Sequence, residues 1–203
     1  MRFDFMTLLV YSPRGTSSNA QFSRILAGAC KNGESQFATQ VALKIKELNA
    51  EDYFSNAALV PIPRSTPLVQ GAVFPSKTLA ETLVSNGLGN AMYPCLNRIV
   101  PINKSSSSFS AETRNTVPTH TSSLKVEPFI IPEPTIILID DILTLGRTAI
   151  ASSLKLQAIY PDKVIKIFCP FRTRSFADNN ILVSLETGVI ELSSDGNGAR
   201  LPN

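Results

Sequence analysis

The stretch that decides the fold is "TIILIDDILTLGRTAIASSLKL", residues 135–156. An apolar run at residues 136–139 ends directly in two carboxylates, Asp140 and Asp141, whose adjacent charges repel each other. A short run this rich in isoleucine predicts a buried strand, and apolar residues at helical spacing predict a helix over about 147–158. The stretch therefore predicts a strand, a small-residue turn and a helix, with two negative charges where the strand ends.

A second strand is predicted directly after this helix, at residues 163–171. A strand, a helix and a strand at this spacing form a βαβ unit, in which the two strands are parallel neighbours. The sequence also predicts strands at 5–12, 57–63 and 95–102 and helices at about 18–33, 36–49 and 75–84. Two strand-like runs near the C-terminus, separated by residues 186–188, predict a β-hairpin. The predicted fold class is α/β.

Residues 103–126 form the most polar tract of the chain, rich in Ser and Thr and without helical or strand periodicity. A loop this long inside a compact domain is typically functional or a disordered linker, and the basic residues Lys104 and Arg114 favour a mobile flap. His120, the single histidine of the chain, lies in this tract and is predicted to be a solvated loop residue.

The composition indicates one globular domain, since 43% of the 203 residues are hydrophobic and 17% are charged. The net charge of +3 is slight, and a nucleic-acid partner is not expected. Cysteines 30, 95 and 169 show neither metal-ligand nor disulfide spacing, so we expect small core residues in a reducing compartment. No apolar run approaches the roughly 20 residues that cross a bilayer, and the N-terminus lacks signal-peptide features. The expected location is the cytoplasm, without a membrane partner.

The turn after the aspartates has the features of a phosphate site. Unpaired backbone N–H groups at a helix N-terminus attract anions, and Gly146 allows a close backbone approach. Thr144 and Thr148 add hydroxyl donors, and Arg147 adds positive charge. The carboxylates just before the turn would repel a phosphate, but they accept hydrogen bonds from sugar hydroxyls or bind Mg²⁺. A phosphorylated ribose satisfies both halves of this stretch.

This combination resembles a known signature. "IILIDDILTLGRT" is similar to the motif with which type I phosphoribosyltransferases bind 5-phosphoribosyl 1-diphosphate (PRPP), an apolar strand followed by Asp-Asp and a Thr- and Gly-containing turn. Other segments resemble the ComF-like, amidophosphoribosyltransferase-like branch of that family: "ACKNG" at 29–33, "LVPIPRS" at 59–65, "QGAVFPSKTLAETL" at 70–83, "LNRI" at 96–99 and "SAETRN" at 110–115. The resemblance covers about residues 25–171.

The resemblance implies a fold and an activity. The fold would be an open, mostly parallel twisted sheet flanked by helices, with a small hood and a C-terminal hairpin. Residues 1–203 would form one domain, with a core at about 36–171 and hood elements from 1–35 and 172–203. The implied enzyme is a pentosyl-group glycosyltransferase that, with Mg²⁺, moves phosphoribose from PRPP to an unknown nitrogen acceptor and releases pyrophosphate. Family members often dimerise, so a homodimer is one expectation.

The resemblance also implies which residues bind the substrate. The pyrophosphate of PRPP would be held by the loop after the first core strand, with Arg64 as its cationic contact between Pro63 and Ser65. Lys104 and Arg114 of the flap would close over it and exclude water.

The ribose 5-phosphate part of PRPP would bind at the opening stretch, where Asp140 and Asp141 would face the ribose hydroxyls. The same carboxylates would contact Mg²⁺ indirectly, through those hydroxyls or through water. The turn residues that would hold the phosphate are Thr144, Leu145, Gly146, Arg147 and Thr148.

The sequence departs from the family pattern at several points. Leu145 stands where a Thr is usual, Gln70 stands where the branch usually has Arg, and the four-cysteine zinc segment common in that branch is missing. The alternative is therefore a regulatory protein that binds PRPP or a nucleotide without turnover, linked to DNA uptake or processing. Arg14 is predicted to be an exposed turn residue, while Lys31 is either a helix C-terminal cation or a ligand contact.

Overall fold

The computed structural model describes residues 1–103, 114–174 and 181–202. Its helices are α1 (Ser18–Lys31), α2 (Ser35–Glu47), α3 (Pro75–Ser85), α4 (Val117–Ser122) and α5 (Arg147–Ile159), with a 3₁₀ turn at Glu51–Phe54. Its strands are β1 (Arg2–Tyr11), β2 (Ala57–Pro61), β3 (Ala91–Met92), β4 (Leu96–Arg98), β5 (Leu124–Val126), β6 (Thr135–Ile139), β7 (Ile142–Leu143), β8 (Val164–Thr173), β9 (Val183–Leu192) and β10 (Ala199–Arg200).

The main sheet has the strand order β10-β9-β1-β8-β6-β2-β3, and β7 pairs with the end of β8. The five strands from β1 to β3 in this order are mutually parallel, while β9 and β10 add an antiparallel edge. Strands β6 and β8 are parallel neighbours, with Ile137 opposite Lys166, which confirms the predicted βαβ unit. The protein is thus α/β, with a mostly parallel mixed sheet flanked by helices.

Strand β6 is buried on both faces, which explains its uninterrupted apolar sequence. Ile136 and Leu138 belong to the core that includes residues of α5, whereas Ile137 and Ile139 belong to the core that includes residues of α1, α2 and α3. Parallel strands covered by helices on both sides lose the alternation of apolar and polar residues. The same burial places α3 and α5 on opposite faces of the sheet.

The predicted turn at residues 186–188 is wrong, because these residues lie inside β9, which is continuous from Val183 to Leu192. Gly188 provides a close approach instead of a turn, since a Cβ there would lie 3.0 Å from the ring of Phe5. A hairpin does close the tail, but later: β10 pairs antiparallel with β9, placing Ala199 opposite Leu192.

The predicted hood segments contribute strands to the main sheet. Strand β1, from the predicted hood at residues 1–35, lies between β8 and β9, and its Phe5 and Leu8 side chains are fully buried. Strands β9 and β10, from residues 172–203, extend the same sheet. Local patterns identify a strand, but its neighbours are set by long-range pairing that no local spacing encodes.

Part of the polar tract is folded, which corrects the prediction of a flap over its whole length. Thr116 accepts a hydrogen bond from the backbone N–H of Thr119 and begins helix α4, and β5 then pairs antiparallel with β4. The rest of the predicted flap, residues 104–113 with Lys104 among them, lies outside the described residues. The strand predicted at 95–102 is limited to β4.

The three cysteines are free and buried, as expected for small core residues. In the described part of the chain, none of the helices combines the length and apolar character needed to cross a membrane.

Candidate functional site

A cleft opens where strands β2 and β6 end side by side. The chain leaves β2 for α3 on one face of the sheet and leaves β6 for α5 on the other. Connections that diverge in this way create a crevice beyond the carboxyl ends of the strands, which is the usual ligand site of an open α/β sheet. The Ile62 N–H donates to the Ile139 carbonyl at 2.8 Å, so the two strands stay paired up to the edge of this cleft.

The two aspartates line the cleft directly after β6, and both are half-buried. The Asp140 N–H donates to the Phe168 carbonyl at 3.1 Å, and the Asp140 carboxylate accepts from the Asp141 N–H at 2.9 Å. Burial and the neighbouring charge of Asp141 raise the pKa of Asp140 well above its ordinary value, while Arg98 acts in the opposite direction. A ligand that brings hydroxyl donors or a cation relieves this electrostatic cost.

The turn from Thr144 to Thr148 strongly favours glycine at position 146. Gly146 is the N-cap of α5 and has a φ of +69°, in the left-handed region that side chains disfavour. A Cβ added there would lie 2.1 Å from Cδ1 of Ile190 in β9. The glycine therefore lets strand β9 pack directly against the start of the helix.

Arg172 holds this turn from behind. It is buried, and its guanidinium donates to the carbonyls of Leu143 at 3.3 Å and Thr144 at 2.9 Å, and to that of Pro202 at 3.3 Å. The Thr144 hydroxyl also lies 2.8 Å from that of Thr173. The C-terminal segment and the end of β8 thus fix the turn that follows the aspartates.

The loop after β2 forms a second part of the lining. Pro63 is buried, and the Ser76 hydroxyl of α3 donates to the Ile62 carbonyl at 2.5 Å. The Arg64 side chain is exposed and donates to the Val73 carbonyl at 3.1 Å, while the Arg64 carbonyl accepts from Arg98 at 3.0 Å. The loop backbone is therefore held at both ends, and the Arg64 guanidinium stays at the surface of the cleft.

Arg98 and His120 connect this loop to the turn at residues 144–148. Arg98 is 4% exposed and donates to the Ser123 hydroxyl and to the His120 carbonyl. His120 is 3% exposed, which corrects the prediction of a solvated loop residue, and its Nε2 lies 3.4 Å from the Thr148 hydroxyl. Burial and the charges of Arg98 and Arg147 lower the pKa of His120 to about 4. At neutral pH the imidazole is therefore uncharged.

Arg147 ties the start of α5 to residues 114 and 115. It donates to the carbonyls of Arg114 at 3.0 Å and Asn115 at 3.3 Å. Arg114 itself lines the cleft, and its Nε is buried without a hydrogen-bond partner among the described residues.

The cleft has a volume of about 670 Å³, within the usual range for small-molecule sites. All the described residues predicted for the site line it: Pro63, Arg64, Ser65, Arg114, Asp140, Asp141, Thr144, Leu145, Gly146, Arg147 and Thr148. Its described lining carries the cations Arg14, Lys31, Arg64, Arg98, Arg114 and Arg147 and the carboxylates Asp140 and Asp141. The lining is thus strongly cationic around one acidic point, although the whole chain is only slightly basic. Lys104 lies outside the described residues.

Sequence reasoning missed His120 and did not single out Arg98 within the resembling segment "LNRI". The signal for His120 was local, because "TVPTH" carries a threonine cap and an early proline, both typical of a helix start. A helix of six residues is too short to show periodicity.

The two carboxylates fit Mg²⁺ in one specific way. Among the described residues, no group of three or more His, Cys, Asp or Glu side chains could hold a metal ion. Mg²⁺ commonly takes one or two protein carboxylates and completes its shell with phosphate oxygens and water. Asp140 and Asp141 fit this pattern when the ligand itself supplies the remaining oxygens.

No protein-family model matches the chain, and no curated protein matches its sequence. The geometry of the cleft is therefore what supports a function.

Proposed function

We propose that the protein is a type I phosphoribosyltransferase that binds PRPP with Mg²⁺ in this cleft and transfers its phosphoribosyl group to a nitrogen acceptor. The observation that carries the proposal is the juxtaposition of an acidic pair, Asp140 and Asp141, with a cationic lining at the switch point of the sheet. PRPP has the matching pattern: two phosphate-bearing ends joined by a ribose with two free hydroxyls.

Different residues of the cleft would contact different parts of PRPP, according to their chemistry. The 5-phosphate would accept hydrogen bonds from the N–H groups at the start of α5 and from the hydroxyls of Thr144 and Thr148. The ribose hydroxyls would donate to Asp140 and Asp141, and Arg64 would face the pyrophosphate. The carboxylates would also hold Mg²⁺ through ligand oxygens or water, and the ion would neutralise pyrophosphate charge.

In the reaction, the bond from the anomeric carbon to the pyrophosphate oxygen breaks and a bond from that carbon to the acceptor nitrogen forms. The acceptor then loses a proton to solvent. The departing group carries the developing negative charge, so fixed cations beside it lower the barrier without any side-chain nucleophile. Arg64 and Arg114 supply such charge from the described lining.

A pyrophosphate-release assay tests the enzyme. We expect wild type, given PRPP, Mg²⁺ and a panel of nitrogenous bases and amines, to release pyrophosphate with at least one acceptor. Arg64→Gln should release it more slowly, by roughly ten- to a hundredfold, because a cation at the leaving group is lost. The matched control is Arg2→Gln, an exposed arginine outside the cleft, which should match wild type. Wild type that neither binds PRPP nor releases pyrophosphate contradicts the proposal.

A second candidate is a regulator that binds PRPP or a nucleotide without turnover. The observation that favours it is Leu145, whose position lines the cleft with an apolar side chain where the family pattern has a hydroxyl. PRPP binding without pyrophosphate release across the whole acceptor panel would favour this candidate over the enzyme.

A further inference from the structure

The candidate site contains a buried histidine whose side-chain partner, Thr148, belongs to the turn at residues 144–148. His120 lies on α4, which packs against α5, and its Nε2 is 3.4 Å from the hydroxyl of Thr148. Its other ring nitrogen, Nδ1, is buried and has no hydrogen-bond partner in the described part of the chain. Both His120 and Thr148 line the cleft.

The surroundings keep this imidazole neutral. Arg98, on β4, donates a hydrogen bond to the backbone carbonyl of His120, and Arg147 adds a second positive charge from the first turn of α5. Both charges and the burial disfavour a protonated ring. A neutral imidazole carries a single N–H, so the proton is either on Nε2 or on Nδ1.

The position of that proton decides what Thr148 can offer a ligand. With the proton on Nδ1, a buried N–H would lack an acceptor. Nε2 would then accept a hydrogen bond from the Thr148 hydroxyl, and the Thr148 oxygen would have only its lone pairs to offer the ligand. With the proton on Nε2, the imidazole donates to the Thr148 oxygen, and the hydroxyl proton remains free. Nδ1 is then the atom without a partner, and its lone pair is less costly to bury than an unpaired N–H.

We propose that His120 is a positioning residue for the ligand phosphate, because its Nε2–H donates to the Thr148 oxygen and thereby holds the Thr148 hydroxyl as a donor toward the turn. This role rests on the proposed binding of a phosphate at the start of α5. Phosphate oxygens are acceptors only, so a threonine committed as a donor strengthens the site and one committed as an acceptor weakens it.

The first test is spectroscopic and needs no ligand. Because the chain has a single histidine, ¹⁵N NMR of the imidazole gives one pair of ring-nitrogen signals. At pH 7 we expect the neutral Nε2–H tautomer. A neutral Nδ1–H tautomer, or a charged ring at this pH, overturns the proposal.

The second test is a mutant cycle read out as PRPP affinity by calorimetry in the presence of Mg²⁺. His120→Phe should weaken binding about tenfold, the typical effect of one lost hydrogen bond, and Thr148→Val should do the same. His120→Phe should add less than about twofold when it is made in the Thr148→Val protein, since the histidine acts through the threonine. His120→Gln, whose amide N–H extends about as far as Nε2–H, should stay within about threefold of wild type.

The outcomes separate this inference from the proposed function. If wild type does not bind PRPP, the proposed function fails. Wild type, the two single variants of the cycle and the double variant are then titrated with ribose 5-phosphate, and affinities that follow the cycle support the positioning role of His120. If neither compound binds wild type, both fail. Binding by wild type together with an equal tenfold loss from His120→Phe in both backgrounds overturns the inference and leaves the function intact.

Discussion

The charged form of Asp140 is less favourable in the folded protein than in the unfolded chain. Burial and the adjacent Asp141 raise its pKa, because in the folded protein the carboxylate loses solvation and lies beside a second negative charge, whereas in the unfolded chain it is fully solvated. A carboxyl with a raised pKa in the folded state contributes stability at low pH, and this contribution is lost as pH rises through the folded pKa.

We therefore expect Asp140→Asn to raise the free energy of unfolding at pH 7 by about 1 kcal/mol and to weaken PRPP binding. The gain should shrink as pH falls, because the raised pKa of Asp140 lets the folded wild-type protein take up a proton before the unfolded chain does. Urea unfolding at pH 7 and pH 5 measures this effect, and Asp162→Asn, an exposed carboxylate, is the matched control. If Asp140→Asn were less stable than wild type at pH 7, this would contradict the raised pKa assigned to Asp140.

His120 makes the opposite prediction for acid. Its folded pKa of about 4 lies below the unfolded value near 6.5, so the unfolded chain binds a proton in this window and the folded protein does not. Wild type should therefore lose on the order of 3 kcal/mol between pH 6.5 and pH 4 from this group alone.

The same window should be flatter in His120→Phe, because phenylalanine does not titrate. Urea unfolding of both proteins at pH 7, 5.5 and 4.5 provides the comparison, and only the difference in slope matters. The charged groups facing the ring, Arg98 on β4 and Arg147 on α5, are unchanged in this variant. Stability curves that run parallel over the whole window would rule out a buried neutral histidine.

The packing of β9 against the start of α5 depends on the absence of a side chain at Gly146. Gly146→Ala should lower the free energy of unfolding by about 2–4 kcal/mol, from backbone strain at positive φ and from the clash with Ile190. In an Ile190→Val protein, which lacks Cδ1, the same change should cost only about 1 kcal/mol. Thermal or urea unfolding of the four proteins measures the cycle. An equal cost in both backgrounds would show that β9 does not pack beneath this turn.

The elements nearest the site were predictable because local signals agree there. The β6 strand, the aspartates and α5 combine an apolar run, a glycine and helical periodicity within 22 residues, and each signal is independent of distant chain. Gly188 shows where local reasoning fails, because a glycine in a strand and a glycine in a turn look alike in sequence. Only the ring of Phe5, far away in the chain, distinguishes them.

Across the whole molecule, the topology of the sheet brings together charged residues that the small net charge of the chain does not reveal. The net charge of +3 is unremarkable, yet six cations from separate segments line one cleft beside two carboxylates. The segments meet because β2 and β6 are neighbours although more than 70 residues separate them in sequence. The sequence could predict Arg64 and Arg147 as site residues through resemblance, but the convergence of Arg98 and His120 required the pairing of β4 with β5.

The most direct test of the account is a calorimetric titration with PRPP in the presence and absence of Mg²⁺. We predict saturable binding by wild type that strengthens with Mg²⁺, and at least thirtyfold weaker binding by the Asp140→Asn, Asp141→Asn double variant. The control is the Asp52→Asn, Asp162→Asn double variant, which makes the same change in charge at exposed positions and should bind as wild type does. Absence of PRPP binding by wild type, or equal affinity in all three proteins, would contradict the central claim that this cleft is a PRPP site.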